Sequence, residues 1–235
     1  MHECRLHRRA LLAGLGSLGL TASVPRRVWA WGQWPAPVLP PMPGLRPLNT
    51  TVLALLREYT FGDANPYVWV QGFHTDGTTR DLQYRGVPMA HRANTRGIHC
   101  SGITFEVWLR AIEQVGAPPW LTPTDVLDLK ETWYVRDGSR LGPVEALASR
   151  KLGIRIDRID DLQPGDFVQF WRNSGKGHSA VFIAPRRRRD GSVRGLAFWS
   201  AQSSSSGIGI RYASRGVGPD HLASIHGVRP VSPVS

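Results

Sequence analysis

The stretch Gly97-Ile98-His99-Cys100-Ser101-Gly102-Ile103-Thr104-Phe105-Glu106-Val107-Trp108 carries a loop into an amphipathic helix with a thiol at its start. Ile103, Val107, Ala111 and Val115 recur at helical spacing, and Gly116 supplies the stop. The other cysteine, Cys4, precedes a segment with the marks of a cleavable leader, so the mature chain is expected to carry one thiol and no internal disulfide. An unpaired cysteine in an exported protein is buried filler, a bridge to a partner or a nucleophile. Position favours the nucleophile, because free N–H groups and the macrodipole at a helix start stabilise a thiolate.

The leader comprises Arg8-Arg9, a small and apolar run from Ala10 to Ala22, and Val28-Trp29-Ala30, whose small residues suit signal cleavage. That run of 13 residues is too short to cross a bilayer as a helix. The paired arginines resemble a twin-arginine leader, which implies a bacterial protein that is periplasmic or secreted, with no integral span once residues 1–30 are removed. Removal takes away five arginines and one glutamate and lowers the formal charge from +11 to +7. A basic surface attracts anionic polymers, and in a bacterial envelope these are wall polymers such as peptidoglycan, or lipid headgroups. Neither zinc-finger spacing nor a basic helix interleaved with aromatics is present, so nucleic acid is not an expected partner. The run Arg186 to Arg189, between Pro185 and Asp190-Gly191, has the composition of a solvated hairpin tip.

Six prolines between 31 and 48 predict an extended linker or a strap lying on the domain. Asn49 to Tyr59 opens with capping residues and continues as a short helix, and a loop-rich stretch from Phe61 to Gly97 follows. Thr122-Pro123 caps a helix over Val126 to Tyr134, and Pro143 to Leu152 forms another, closed by Gly153. Beyond these, Phe167 to Trp171, Ser179 to Ala184, Val193 to Ala201 and Ile208 to Ala213 have strand patterns, with a type II turn at Gln163-Pro164-Gly165-Asp166. Helices first and an antiparallel meander second predict an α+β domain over 49–235, with the N-terminal helices packed on the sheet.

A cysteine nucleophile needs a base within reach and a group to orient that base. Gly177-His178-Ser179-Ala180-Val181-Phe182-Ile183 puts His178 at the head of an apolar strand. The helix start at Cys100, the Leu162 to Phe170 segment, the His178 strand and Asn65-Pro66-Tyr67-Val68-Trp69 occur in the order seen in the NlpC/P60 superfamily of cysteine peptidases and amidases, which this chain resembles over roughly 61–212. The resemblance implies a papain-like core, a Cys100–His178 pair, Tyr67 near the nucleophile, and cleavage of peptide bonds in the bacterial cell wall. A CHAP-like amidase or another papain-like amide or ester hydrolase is the enzymatic rival. A wall-binding protein that keeps the fold without turnover is the other.

This chain departs from the family's pattern in three places. His99 stands where the family commonly has Asp, Val70 and Gln71 interrupt the segment after Trp69, and an extra helical insertion at about 117–155 is in a position to wall the cleft. The strand after the His178 strand carries Phe198-Trp199-Ser200-Ala201-Gln202 and no histidine. Alignment nominates Ser200 as the third member, whereas chemistry favours Gln202, whose amide carbonyl accepts from an imidazole N–H. Backbone N–H groups at Cys100 and Ser101 are the expected oxyanion donors. His74, His91 and His99 lack the spacing of common zinc sites, so neither metal nor cofactor is expected; a scattered site with Asp76 or Asp81 is the rival. His99 is alternatively a local hydrogen-bonding group or a perturber of Cys100.

Export is expected to depend on Arg8 and Arg9. Replacing both with Lys and following the mature form in cell fractions should show precursor accumulating, and undiminished export points to the general secretory route.

Overall fold

In the computed structural model the described residues are 34–69, 76–92 and 97–233. The leader, the first residues of the Pro-rich segment, Val70 to Gly72 and His74 lie outside them. The fold is α+β. Along the chain run β1 (Leu45–Pro47), α1 (Asn49–Leu56), the hairpin β2 (Leu82–Tyr84) and β3 (Val87–Ala90), α2 (Cys100–Val115), α3 (Pro123–Trp133) and α4 (Pro143–Ala148). Then come β4 (Gly153–Ile156), β5 (Phe167–Arg172), β6 (Gly177–Arg187), β7 (Val193–Gln202), β8 (Gly207–Ser214) and β9 (Leu222–Pro233).

One antiparallel sheet has the order β1-β9-β5-β6-β7-β8, and β4 pairs with β9 as well. The sheet is covered on both faces, as the alternation along its strands requires. Val181 and Ile183 of β6, with Trp199 and Ala201 of β7, join Ile103, Phe105 and Trp108 of α2 in the larger core. Ala180, Phe182, Leu196 and Phe198 point the other way, into a smaller cluster with Phe170 and Leu222. Among the described residues no helix is long and apolar enough to cross a membrane.

The termini of the helices follow local chemistry. Thr122 makes a capping box with Asp125 and Pro123 opens α3. Asn49 does not cap α1; the N-cap is Leu48, and the Asn49 amide donates instead to the Pro164 carbonyl at 2.9 Å and to Asp166 Oδ1 at 2.7 Å. Helix α4 stops at Ala148, and Gly153 begins β4 rather than closing a helix.

The largest departure from expectation is β9, which pairs with β5 along one edge and with β4 and β1 along the other. Its sequence, with His226, Gly227, Arg229 and two prolines, carries too weak an apolar alternation to announce a buried strand. Arg229 is nevertheless buried, and its guanidinium donates to both oxygens of Asp166 at 3.1 Å. Asp166 ends the Gln163 to Asp166 turn, where Gly165 has φ +89 and a Cβ would meet the Asn49 carbonyl at 2.7 Å. Only glycine fits there. The described part of the Pro-rich segment lies on the domain as a strap: Trp34 is buried under Arg57, Val38 N–H donates to Gln163, and β1 pairs with β9.

Arg229→Met should cost about 3–5 kcal/mol, because Asp166 is left buried without its counter-ion. Urea unfolding checks this. A loss under about 1 kcal/mol would show that the pair does not hold the turn to β9.

Candidate functional site

Helix α2 begins at Cys100 because His99 is extended, with φ −140 and ψ 168, and its Nδ1 accepts the Gly102 N–H at 3.2 Å. An imidazole thus does the work usually given to Ser or Asp. The segment at Asp76 and Gly77 presses on this first turn so closely that a Cβ at Gly102 would lie 2.2 Å from the Asp76 carbonyl. Helix α3 holds that segment: Tyr134 Oη donates to the Asp76 carbonyl, and Lys130 Nζ lies 3.0 Å from Asp76 Oδ1. Burial opposes ionisation of Asp76, but the His91 N–H and the Lys130 ammonium outweigh it and hold the carboxyl below its ordinary range.

The N-terminal end of α2 opens into a cleft of about 760 Å³. Cys100 and Ser101 form its floor, and Tyr67 and Trp69 one wall. Tyr67 is brought there by a short parallel bridge to Ile98, with Val68 N–H donating to the Ile98 carbonyl at 3.0 Å. Tyr134, Val135 and Arg136, from the stretch 117–155, form another wall. Val135 sits at φ 60, a strained conformation for a β-branched residue, and it lies between Tyr134 and Arg136. Gln169, Trp171, Lys176 and Ser179 complete the lining from the sheet side. The His99 ring meets Trp69 and Tyr134 edge-on, with centroids at 5.5 and 5.4 Å.

Cys100 is buried, and burial pushes its thiol up. Working against burial are the backbone N–H of Ser179, the hydroxyl and N–H of Ser101, and the N–H of Cys100 itself, all of which favour the thiolate. The Ser101 hydroxyl lies 4.0 Å from the sulfur, at the first turn of α2. Burial also raises Tyr67, with the nearby thiol adding to the effect.

Of the residues named from the sequence, Tyr67, His99, Cys100, Ser101 and His178 all line the cleft. Among the described residues no hydrogen bond joins the His178 ring to the Cys100 thiol, so the expected pair is not formed as a direct contact. The ring lies against Phe170 at 5.2 Å and Phe198 at 5.6 Å, both members of the cluster on the far face of the sheet. The reason is alternation along β6: Gln169 pairs with Ser179 and Phe170 with His178, so Ser179 faces α2 and His178 faces away. Burial, with help from Arg172, pushes the His178 imidazole down to about 3, and its Nε2 is buried without a hydrogen-bond partner.

The expected third members are also occupied differently. Ser200 is fully buried and its Oγ donates to the Ser179 carbonyl at 2.7 Å. Gln202 is buried with its amide nitrogen unpartnered, and among the described residues neither side chain is hydrogen-bonded to His178. Sequence reasoning missed the pair that does face the thiol side, Ser179 Oγ donating to Gln169 Oε1 at 2.7 Å. Period-two alternation from Val181 was the signal that could have found it. His91 approaches Asp81 at 3.9 Å on the surface, and among the described residues no three His, Cys, Asp or Glu side chains are grouped to hold a metal.

Searches of protein-family models, of curated proteins and of solved structures each found no match.

His178 is half-buried, with its Nε2 buried, and its lowered imidazole makes stability depend on pH with a defined sign. Native His178 resists protonation down to about 3, whereas the unfolded chain takes up that proton near 6.5. Its contribution is thus intact above 6.5 and lost as pH falls below it. His178→Phe, which suits the aromatic surroundings, should flatten the acid side of the urea-midpoint profile relative to wild type. Parallel profiles would mean the ring is not held neutral.

Proposed function

We propose that the protein is an exported cysteine hydrolase that cleaves amide bonds in bacterial cell-wall peptides, on a papain-like core of the NlpC/P60 kind. One observation carries the reading: the thiol at the first residue of α2 stands on the floor of a cleft of about 760 Å³, large enough for a peptide. The Cys100 sulfur attacks the carbonyl carbon, and the oxyanion takes donors from the N–H groups of the first turn. The C–N bond breaks as the amine leaves with a proton, and water then hydrolyses the thioester. Aromatic walls at Tyr67, Trp69 and Trp171 supply contact area for a peptide backbone.

The resting site is neutral, with a protonated thiol and an uncharged His178. Catalysis by His178 requires the Gly177-His178 end of β6 to turn its imidazole toward the cleft; otherwise the base is His99, next to the thiol in the chain. The orientation of His178 also favours a second reading, a wall-binding protein that uses the cleft without turnover. A CHAP-like amidase shares the nucleophile and differs in the bond cut.

Alkylation of Cys100 by iodoacetamide against pH, together with mass spectrometry of purified wall fragments, separates these readings. The hydrolase reading expects new peptide termini, a loss of at least about a hundredfold in Cys100→Ala, and a low-pH limb of alkylation that His178→Ala or His99→Ala removes. Intact fragments and a thiol that reacts only after unfolding leave the binding protein.

A further inference from the structure

The far end of the β6–β7 hairpin gathers more charge than its sequence run suggests. Arg186, Arg187, Arg188 and Arg189 are exposed where β6 turns into β7, and pairing brings further arginines to the same end. Arg187 lies opposite Val193, beside exposed Arg194, whose carbonyl accepts the Arg215 N–H at 2.8 Å. Six arginines from three strand ends thus stand against two carboxylates, Asp160 at 3.8 Å from Arg187 and Asp190 in the turn.

Three of the guanidinium groups are steadied by neutral acceptors; Arg187 also faces Asp160 and Arg188 faces Asp190, which leaves four of the six charges without a carboxylate. Arg186 donates to Ser214 Oγ at 3.1 Å, Arg187 to the Gly191 carbonyl at 2.9 Å and Arg188 to Ser192 Oγ at 3.4 Å. Asp190 spends its carboxylate on the Ser192 N–H and hydroxyl, at 2.9 and 2.6 Å, which fixes the turn. Among the described residues Arg189, Arg194 and Arg215 make no side-chain hydrogen bond or ion pair. Guanidinium groups held apart on a rigid hairpin, with free donors, match the oxygens of a phosphate chain.

We propose that this arginine end is a docking surface for a linear phosphate-bearing polyanion, separate from the cleft and independent of the hydrolase reading. The surface does not suit a membrane: its exposed apolar residues are Tyr212, covered by Arg186, and the single Val217, with no amphipathic face to enter an acyl layer. It does not suit single-stranded nucleic acid either, because it offers no row of exposed aromatics for stacking bases.

The test is binding of the purified full chain to long-chain inorganic polyphosphate across a salt series. The variant Arg186→Gln/Arg187→Gln/Arg188→Gln/Arg189→Gln is compared with Arg92→Gln/Lys151→Gln/Arg155→Gln/Arg211→Gln, which loses the same charge elsewhere on the surface. Each phosphate neutralised on a flexible strand contributes about 0.7 to the slope of log K against log salt, so the hairpin variant should lower the slope by about 3 and weaken binding at least about tenfold. The control set should leave both nearly unchanged. If the hairpin variant does not fold, Arg188→Glu/Arg189→Glu, confined to the turn, takes its place. Equal losses in the two sets, no binding by wild type, or tighter binding to phosphatidylglycerol vesicles or single-stranded RNA than to polyphosphate would each overturn the assignment.

Discussion

The buried pair Asp166–Arg229 is the constraint on which the sheet depends. Its two parallel hydrogen bonds join the turn before β5 to the middle of β9, and the Asp166 carboxylate also accepts from Asn49 and from the Gln163 N–H at 2.7 Å. A buried ion pair adds little net stability over apolar residues of similar size, but breaking it leaves an uncompensated charge. Its value lies in register. Arg229 directly follows Val228 in β9, which pairs with Phe167, and Phe167 in turn pairs with Val181 of β6.

That register decides the chemistry of the cleft. With Gln169 opposite Ser179, the strand offers Ser179 to the Cys100 sulfur and sends His178 to the aromatic cluster behind the sheet. Because side chains alternate with a period of two, a change of one residue would exchange Ser179 and His178 between the faces. The same period keeps Phe167 in the core under α2 and Phe170 behind the sheet, so a slip would carry a cost on both faces.

A second polar group, Glu106, ties the segment before β2 to α2. It is fully buried on α2, yet it accepts from Tyr59 Oη at 2.9 Å and from the Thr79 N–H and hydroxyl at 2.7 Å, and Arg80 Nε lies 3.1 Å away. With Lys130 and Tyr134 holding Asp76, the chain from 76 to 80 is pinned to both α2 and α3. The first turn of α2 is thereby clamped from outside while Ser179 meets it from the sheet.

The sequence by itself determined what depends on neighbours in the chain. Helix α2 with its thiol at the start, the Thr122-Pro123 cap, the Gly165 turn and the strands β5 to β8 are all legible, because capping, positive φ and alternation act over a few residues. His99, Cys100 and Ser101 are neighbours in the chain, whereas the nearness of Tyr67 to them was implied only by the family resemblance. Only the tertiary structure decided the rest. Strand β9 is held by partners on both edges and by Arg229, not by its own pattern, so its Pro- and Gly-containing sequence concealed it. Alternation along β6 puts Ser179 with Val181 and His178 with Ala180, but that the first of these faces meets the thiol is decided by strand pairing and by the packing of α2, which lie far apart in sequence.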